Sequence, residues 1–227
     1  MLPRRPEPPA STSELMTRAL RLAGRPLSWV AAEVGVPVPR DLRRAKGWVG
    51  MTLEAALGAT AGSRAEPDFP HLGVELKTIP VDERGSPRES TWVCFAPMDG
   101  SMASTWEASL VYHKLCHVLW IPIVGVSPTP VGDRLVGGPV LWRPSPQEMA
   151  TLKADWQELS GQIALGELDQ ISAHHGKALQ LRPKAANSRE LTWVIGEEGE
   201  WVQANPVGFY LRTSFTKKVL ARHLVMP

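Results

Sequence analysis

Pro67-Asp68-Phe69-Pro70-His71-Leu72-Gly73-Val74-Glu75-Leu76-Lys77 is the stretch on which the reading of this chain turns. From Leu72 to Ile79 the residues alternate with the period of a half-buried strand, so Leu72, Val74 and Leu76 share one face and Gly73, Glu75 and Lys77 the other. Glu75 and Lys77 are therefore expected side by side. Asp68 precedes the strand behind a proline, where a turn can bring a second carboxylate beside the first. Two oxygen ligands next to an ammonium make a site for a hard divalent ion, with a cation to position a water or offset charge developing at a phosphate. A lone Glu-x-Lys is ordinarily a solvated pair on a strand. The combination with Asp68 and the alternating apolar positions is what singles this one out.

The length, 227 residues, suits one sizeable domain or two lobes, and 43% hydrophobic residues is enough to fill a core. Twenty-one prolines and nineteen glycines favour loops over long helices. No apolar run approaches the roughly 18 residues that span a membrane, and the start lacks a signal-peptide core, so a cytoplasmic, nucleoid-associated location is expected. Cys94 and Cys116 lie in apolar, strand-like surroundings and read as reduced core residues. The six histidines are scattered and none is assigned to metal. Net charge is only +2, but residues 1–46 carry nine Lys/Arg against four Asp/Glu, and residues 205–227 carry four basic residues and no acid. Basic ends around an acidic middle fit phosphate-holding flanks beside a metal-binding carboxylate cluster.

Along the chain, residues 1–10 are proline-rich and read as a disordered tail. Ser11 to Ala23 reads as a helix with capping-box spacing at Ser11 and Glu14, its apolar side formed by Leu15, Ala19, Leu20 and Ala23. A short helix follows from Ser28, stopped by Pro37 and Pro39. Two helices in a basic region would suit a helix-turn-helix reader, but no reading helix follows. A basic loop containing Lys46 and Gly47 leads into a short helix, Met51 to Gly58, that carries Glu54. After the central strand come a turn at Arg84-Gly85-Ser86-Pro87, a strand over Glu89–Ala96, a helix over Trp106–Leu115 and a buried strand over Val118–Val124. Val140–Trp142 is strand-like. From Ser145 a helix presents Leu152, Trp156, Leu159 and Ile163 as a one-sided stripe. Leu179–Leu181 reads as a strand running into Arg182-Pro183-Lys184-Ala185-Ala186-Asn187, where Arg and Lys two apart could reach a groove edge. Gly208-Phe209-Tyr210-Leu211-Arg212 reads as a strand, and Ser214–Val225 as a basic helix.

The constellation Pro67-Asp68…Glu75-Leu76-Lys77 resembles the Pro-Asp…(Asp/Glu)-x-Lys nuclease superfamily. The longer run Gly73-Val-Glu-Leu-Lys-Thr-Ile-Pro-Val-Asp82 resembles the MutH family of DNA mismatch repair endonucleases. Arg182 to Asn187 and Gly208 to Leu211 match that family closely too, and the resemblance extends from about Ser13 to His223. It implies that Glu54, in the run Glu-Ala-Ala-Leu-Gly, joins Asp68 and Glu75 at the metal, and that Lys77 and Lys114 serve catalysis, the latter in its His-Lys-Leu context. It further implies that Arg182, Pro183 and Lys184 read bases, that Tyr210 senses the adenine methyl group, and that Lys46 and Gly47 approach the minor groove. Trp92 stands where the family is expected to place a DNA-touching phenylalanine.

The implied fold is α/β, a restriction-endonuclease-like mixed sheet flanked by helices, with two lobes forming a DNA-binding cleft. After the tail, residues 11–227 are expected as one nuclease domain, its catalytic centre at about 46–145 and its DNA-reading part at about 146–227. The implied activity is Mg²⁺-dependent nicking of the unmethylated strand 5′ to the G of GATC in hemimethylated DNA, by a monomer activated by MutL and, through it, by MutS. The alternatives are a GATC-specific type II restriction endonuclease of the same superfamily and a DNA-binding module with a dead site.

Overall fold

The strand bearing Glu75 starts three residues later than the alternation suggests. Pro70–Leu72 winds into a single 3-10 turn with Pro70 at its start, and Gly73 closes it at φ 61 by donating its N–H to Pro70 O. Proline's fixed φ starts such a turn and glycine tolerates the left-handed exit. Leu72 therefore lies outside the strand, correcting the expected start.

The structure is a computed structural model and describes residues 6–42, 44–126, 128–166, 175–184 and 190–223. In chain order it opens with α1 (Thr12–Leu22), α2 (Leu27–Glu33), α3 (Trp48–Leu57), β1 (Glu75–Val81), β2 (Thr91–Phe95), α4 (Leu110–Leu115) and β3 (Val118–Val124). There follow β4 (Leu135–Val136), β5 (Val140–Trp142), α5 (Pro146–Ala164), β6 (Leu179–Pro183), β7 (Thr192–Ile195), β8 (Trp201–Ala204), β9 (Val207–Leu211) and α6 (Thr213–His223). Residues 185–187 of the expected reading loop, and the last two residues of the expected final helix, lie outside the described residues.

The chain forms two compact units that interleave in sequence. The first comprises 1–89, 117–142 and 217–227, and the second 90–116 and 143–216. This differs from the expected division near residue 145, since it places Trp92 and Lys114 in the second unit. The boundary recurs inside α6.

In the first unit β1 and β3 pair in parallel from Glu75↔Val118 to Val81↔Val124, and β4 and β5 pair antiparallel to β3 on its other side. β1 is thus an edge strand. Leu76 joins Leu119, Ile121 and Ile123 in a core with Leu15, Ala19, Leu22, Leu27, Val30, Leu53 and Leu57 of the three helices. Glu75, Lys77 and Ile79 then belong to the opposite sheet face by period-two alternation. The Ser11 cap holds as expected, its hydroxyl accepting from Glu14 N while Glu14 Oε2 accepts from Ala10 N. The buried side of α1 is Leu15, Ala19 and Leu22, however, and Leu20 is 59% exposed. Residues 6–10 of the expected tail are seated: Arg18 donates to Glu7 O at 2.6 Å, His71 Nε2 lies 2.6 Å from Pro9 O, and Pro9 is buried. Carbonyls in a proline-rich segment have no ladder partners, so side-chain donors can hold it down.

In the second unit β2, β9 and β6 form an antiparallel sheet, β7 and β8 a hairpin. The helix expected from Trp106 begins instead at Leu110, where the Ser109 hydroxyl accepts from Tyr112 N. α5 has the full reciprocal cap, Ser145 Oγ with Glu148 N and Glu148 Oε2 with Ser145 N, and its stripe of Leu152, Trp156, Leu159 and Ile163 is buried as expected. From this helix the buried Asp155 carboxylate accepts three successive backbone N–H groups, from Lys177, Ala178 and Leu179, at 2.5–2.9 Å. Arg212 completes the turn by donating to His175 O and Gly176 O.

That turn launches β6, which carries Arg182. Asp155→Ala would leave three amides without their acceptor, at roughly 1–3 kcal/mol for each that stays buried. We expect it to lower stability by about 3 kcal/mol or more, read as a lower urea midpoint, with Asp155→Asn milder because one acceptor oxygen remains.

Candidate active site

The site grows from the open edge of β1. The backbone N–H of Glu75 points to β3 and bonds His117 O at 3.0 Å, so the next one, at Leu76, points away from the sheet. Asp68 Oδ2 accepts it at 2.8 Å. The Asp68 carbonyl is tied down as well, accepting from Thr60 N and Ala61 N just after α3. α3 ends at Gly58, φ 81, where a Cβ would meet Glu7 O at 2.7 Å, and Arg18 clamps the Leu57 carbonyl at 3.2 Å. These bonds hold the helix bearing Glu54 against the segment bearing Asp68.

Across the strand, Lys77 Nζ lies 2.6 Å from Glu75 Oε1. Glu75 is 2% and Lys77 7% exposed, so this is a buried ion pair, not the solvated pair of an ordinary strand. The Asp68 carboxyl is pushed up to about 7, first by burial, then by the neighbouring Glu75 charge, and also by Glu54; the Leu76 hydrogen bond and Lys77 oppose this. Asp68 thus feels two neighbouring carboxylates and the Lys77 ammonium, a crowding of charges of the kind that recurs at functional sites. All the donors are carboxylate oxygens, which are hard ligands. Among the described residues no three His, Cys, Asp or Glu side chains stand gathered at metal-ligand spacing, and Glu75 Oε1 is turned onto Lys77. Taking a divalent ion here therefore requires Glu75 to share that oxygen or turn the other one inward.

A second group forms on the outer face of the β2-β9-β6 sheet. The register pairs Trp92 with Tyr210, Tyr210 with Gln180, and Gly208 with Arg182, which places these side chains on one face. The Trp92 ring lies edge-on to Tyr210 at 5.1 Å, Lys184 Nζ sits 4.2 Å over the Trp92 ring, and Arg182 is 5.7 Å over Tyr210. Arg182 also donates to the Ser90 hydroxyl at 2.6 Å. Gly208 makes room for the indole: a Cβ there would collide with the Trp92 six-membered ring and stand 2.8 Å from Cys94 O. Arg182, Pro183 and Lys184 are exposed, while Trp92 and Tyr210 are half-buried.

Of the residues singled out in the sequence, Asp68, Glu75 and Lys77 thus come together with Glu54 in electrostatic reach, and Trp92, Arg182, Lys184 and Tyr210 form a separate cluster beside Pro183. Lys114 is half-buried in the last turn of α4, in the second unit. Lys46 and Gly47 are exposed at the start of α3, Gly47 in the left-handed region at φ 86. Gly208 and Ser90 join the group as well, the first by making room for Trp92 and the second by accepting from Arg182. The close Gly-Phe-Tyr-Leu match marked the first without revealing its purpose, and no signal marked the second.

A mixed sheet flanked by helices, with a buried acidic cluster and lysine on its edge strand, defines a restriction-endonuclease-like α/β protein. A family model described as DNA mismatch repair enzyme MutH matches residues 57–155. The chain is 54% identical over 213 residues to the DNA mismatch repair protein MutH of Shewanella baltica strain OS155, covering 94% of this chain and 96% of that protein. It is 53% identical over 219 residues to the protein of the same name from Klebsiella pneumoniae subsp. pneumoniae strain MGH 78578, covering 96% and 95%. The chain belongs to the MutH family of DNA mismatch repair enzymes.

Two outcomes follow from the geometry. The folded state holds the Asp68 proton more tightly than the unfolded chain, so stability falls as pH rises from about 4 through about 7 and is level above. Asp68→Asn keeps the acceptor for Leu76 N and removes this loss. Without divalent ions we expect the variant to exceed wild type by about 2–4 kcal/mol at pH about 8, the gap closing by pH about 4, in urea titrations. Gly208→Ala should displace Trp92 and lower stability by about 1–3 kcal/mol, with partial recovery when Trp92→Leu is added, read as shifts of the urea midpoint.

Proposed function

We propose that this chain is a Mg²⁺-dependent endonuclease that nicks the unmethylated strand 5′ to the G of GATC in hemimethylated DNA. The observation that carries the proposal is the edge of β1, where Asp68 is buried with Glu75 and Glu54 raising its pKa and the Lys77 ammonium is bonded to Glu75. Asp68 and Glu75, with Glu54, would hold Mg²⁺, which when bound supplies an acidified water and offsets phosphate charge. Lys77 is fixed by Glu75 and has donors left over, so it can orient the oxygen of the attacking water and hold a proton there. Lys114 serves as a second cation for charge growing at the phosphate. A buried, water-poor setting strengthens each of these interactions.

Base reading falls to the second cluster. Arg182 presents a fork suited to guanine and Lys184 a point charge, both held against aromatic rings, and Pro183 stiffens the chain between them. Tyr210 is the candidate sensor of the adenine methyl group, with its ring orientation set by Trp92. Lys46 and Gly47 are candidates for the minor groove. The repair role calls for a monomer that cuts one strand, in the cytoplasm at the nucleoid, and for activation by MutL in response to MutS. Likeness to relatives named for mismatch repair supports that role.

The test is a duplex with one hemimethylated GATC and a different label on each strand. Wild type with Mg²⁺ should incise only the unmodified strand, faster with MutL, and chelation should abolish incision. Asp68→Ala and Lys77→Ala should show none. Linear product from a dimeric enzyme, or cutting that survives in both variants, would overturn the proposal.

A further inference from the structure

The hairpin of β7 and β8 exposes more apolar surface than any folding requirement explains. Trp193 is 58% and Trp201 57% exposed, and Leu191 just before β7 is 49% exposed. The register pairs Trp193 with Gln203 and Ile195 with Trp201, so these four side chains share one face, while Val194 on the other face is fully buried. Residues 190–204 also contain Glu190, Glu197, Glu198 and Glu200 and no Lys or Arg. A phosphate backbone would be repelled from such a surface. Its charge selects a cationic partner, and large exposed aromatics at a contiguous patch mark a protein contact.

The backbone offers the means of attachment. Gly196 N bonds Glu200 O at the hairpin turn, and the outer edge of β7 is covered where Ile195 N bonds Met98 O at 3.0 Å. Alternation along an antiparallel pair then directs the amides of Val202 and Ala204 at β7, and those of Trp201 and Gln203 to the far side of β8. Among the described residues β8 pairs with β7 alone. Open strand edges are ordinarily blunted by charge, proline or a covering segment, because they accept any strand that fits. Here the charges sit at the turn, and Trp201 stands on the edge itself.

We propose that β8 is a docking edge for a basic, aliphatic strand of a protein partner. The added strand pairs its backbone with Trp201 and Gln203, rests its apolar side chains on the Trp201 indole, and directs its cations to Glu197, Glu198 and Glu200. This is strand addition, in which main-chain hydrogen bonds give affinity and the flanking side chains give selectivity. The surface is independent of the residues assigned to cutting and base reading.

The probe is a fluorescent, end-blocked Lys-Lys-Thr-Val-Thr-Val-Thr-Lys-Lys peptide titrated with the full chain and read by anisotropy. We expect saturable binding that weakens at high salt and is absent for the peptide with Glu in place of Lys. Gln203→Pro removes an outward N–H without touching the β7 ladder and should weaken binding at least about tenfold, as should Trp201→Ser. The triple change Glu197→Gln, Glu198→Gln, Glu200→Gln should weaken it several-fold. GATC cleavage by all these variants should match wild type, so failure here is separable from failure of the nuclease assignment. No saturable binding, equal binding by Gln203→Pro, displacement of the peptide by GATC duplex, or a wild-type dimer that Trp201→Ser dissolves would each overturn the proposal.

Discussion

A single hydrogen bond, from Leu76 N–H to Asp68 Oδ2 on the open side of β1, fixes how the charged side chains gather along this strand. An edge strand must satisfy its outward amides, and using a carboxylate for one of them draws a negative charge into the protein. Parity then places Glu75 and Lys77 on the face away from the helical core, one residue to either side of Leu76. The acid that caps the edge and the acid on the strand are thereby held close, although repulsion would part them in a flexible loop. Burial and proximity together raise the Asp68 carboxyl to about 7, and the surrounding core supplies the rigidity that keeps the group assembled.

The second unit solves a different problem, which is to present cations without letting them wander. Arg and Lys side chains are long and lose rotamer freedom when fixed. Here each rests on an aromatic ring, Lys184 on Trp92 and Arg182 on Tyr210, and the two rings meet edge to face. The arrangement depends on absence of bulk at Gly208, directly beneath the indole. Below it, Phe209, Leu211, Leu179 and Leu181 are buried on the other side of the same strands, so the packing that anchors the sheet and the face that displays the cations are products of one alternation.

Much of this was legible from residues alone, and the exceptions have definite causes. The Ser11 and Ser145 caps were readable because a short polar side chain followed three residues later by Glu has a local geometric meaning. The buried stripe of α5 was readable from its period. The start of β1 was not, because Leu72 fits a strand's alternation equally well while Pro70 and Gly73 enforce a turn. Period alone cannot assign the apolar side of α1, because Leu15, Ala19 and either Leu20 or Leu22 satisfy a helical stripe, and packing chose Leu22. The β7-β8 hairpin has a local signal, since Thr192-Trp193-Val194-Ile195 and Trp201-Val202-Gln203-Ala204 alternate around a Gly-Glu-Glu-Gly turn. At the site, period two predicted the Glu75–Lys77 neighbourhood, but nothing local predicts that α3, through Thr60 and Ala61, brings Glu54 into the field of Asp68. That is a tertiary fact which only the family resemblance anticipated.

The topology links the two groups through the chain itself. Parallel strands such as β1 and β3 cannot be joined by a hairpin and need a crossover of a dozen residues or more. Here the crossover, residues 82–117, contains β2 with Trp92 and α4 with Lys114, and most of it belongs to the second unit. It returns at His117, whose carbonyl receives the N–H of Glu75. The residue at which the excursion rejoins the first unit is therefore the one that registers the acidic strand. A geometric demand of parallel pairing has been met with the segment that carries Trp92 of the aromatic–cation group, and a mutation disturbing the β1–β3 register would act on both groups through covalent continuity, without any contact between them being required.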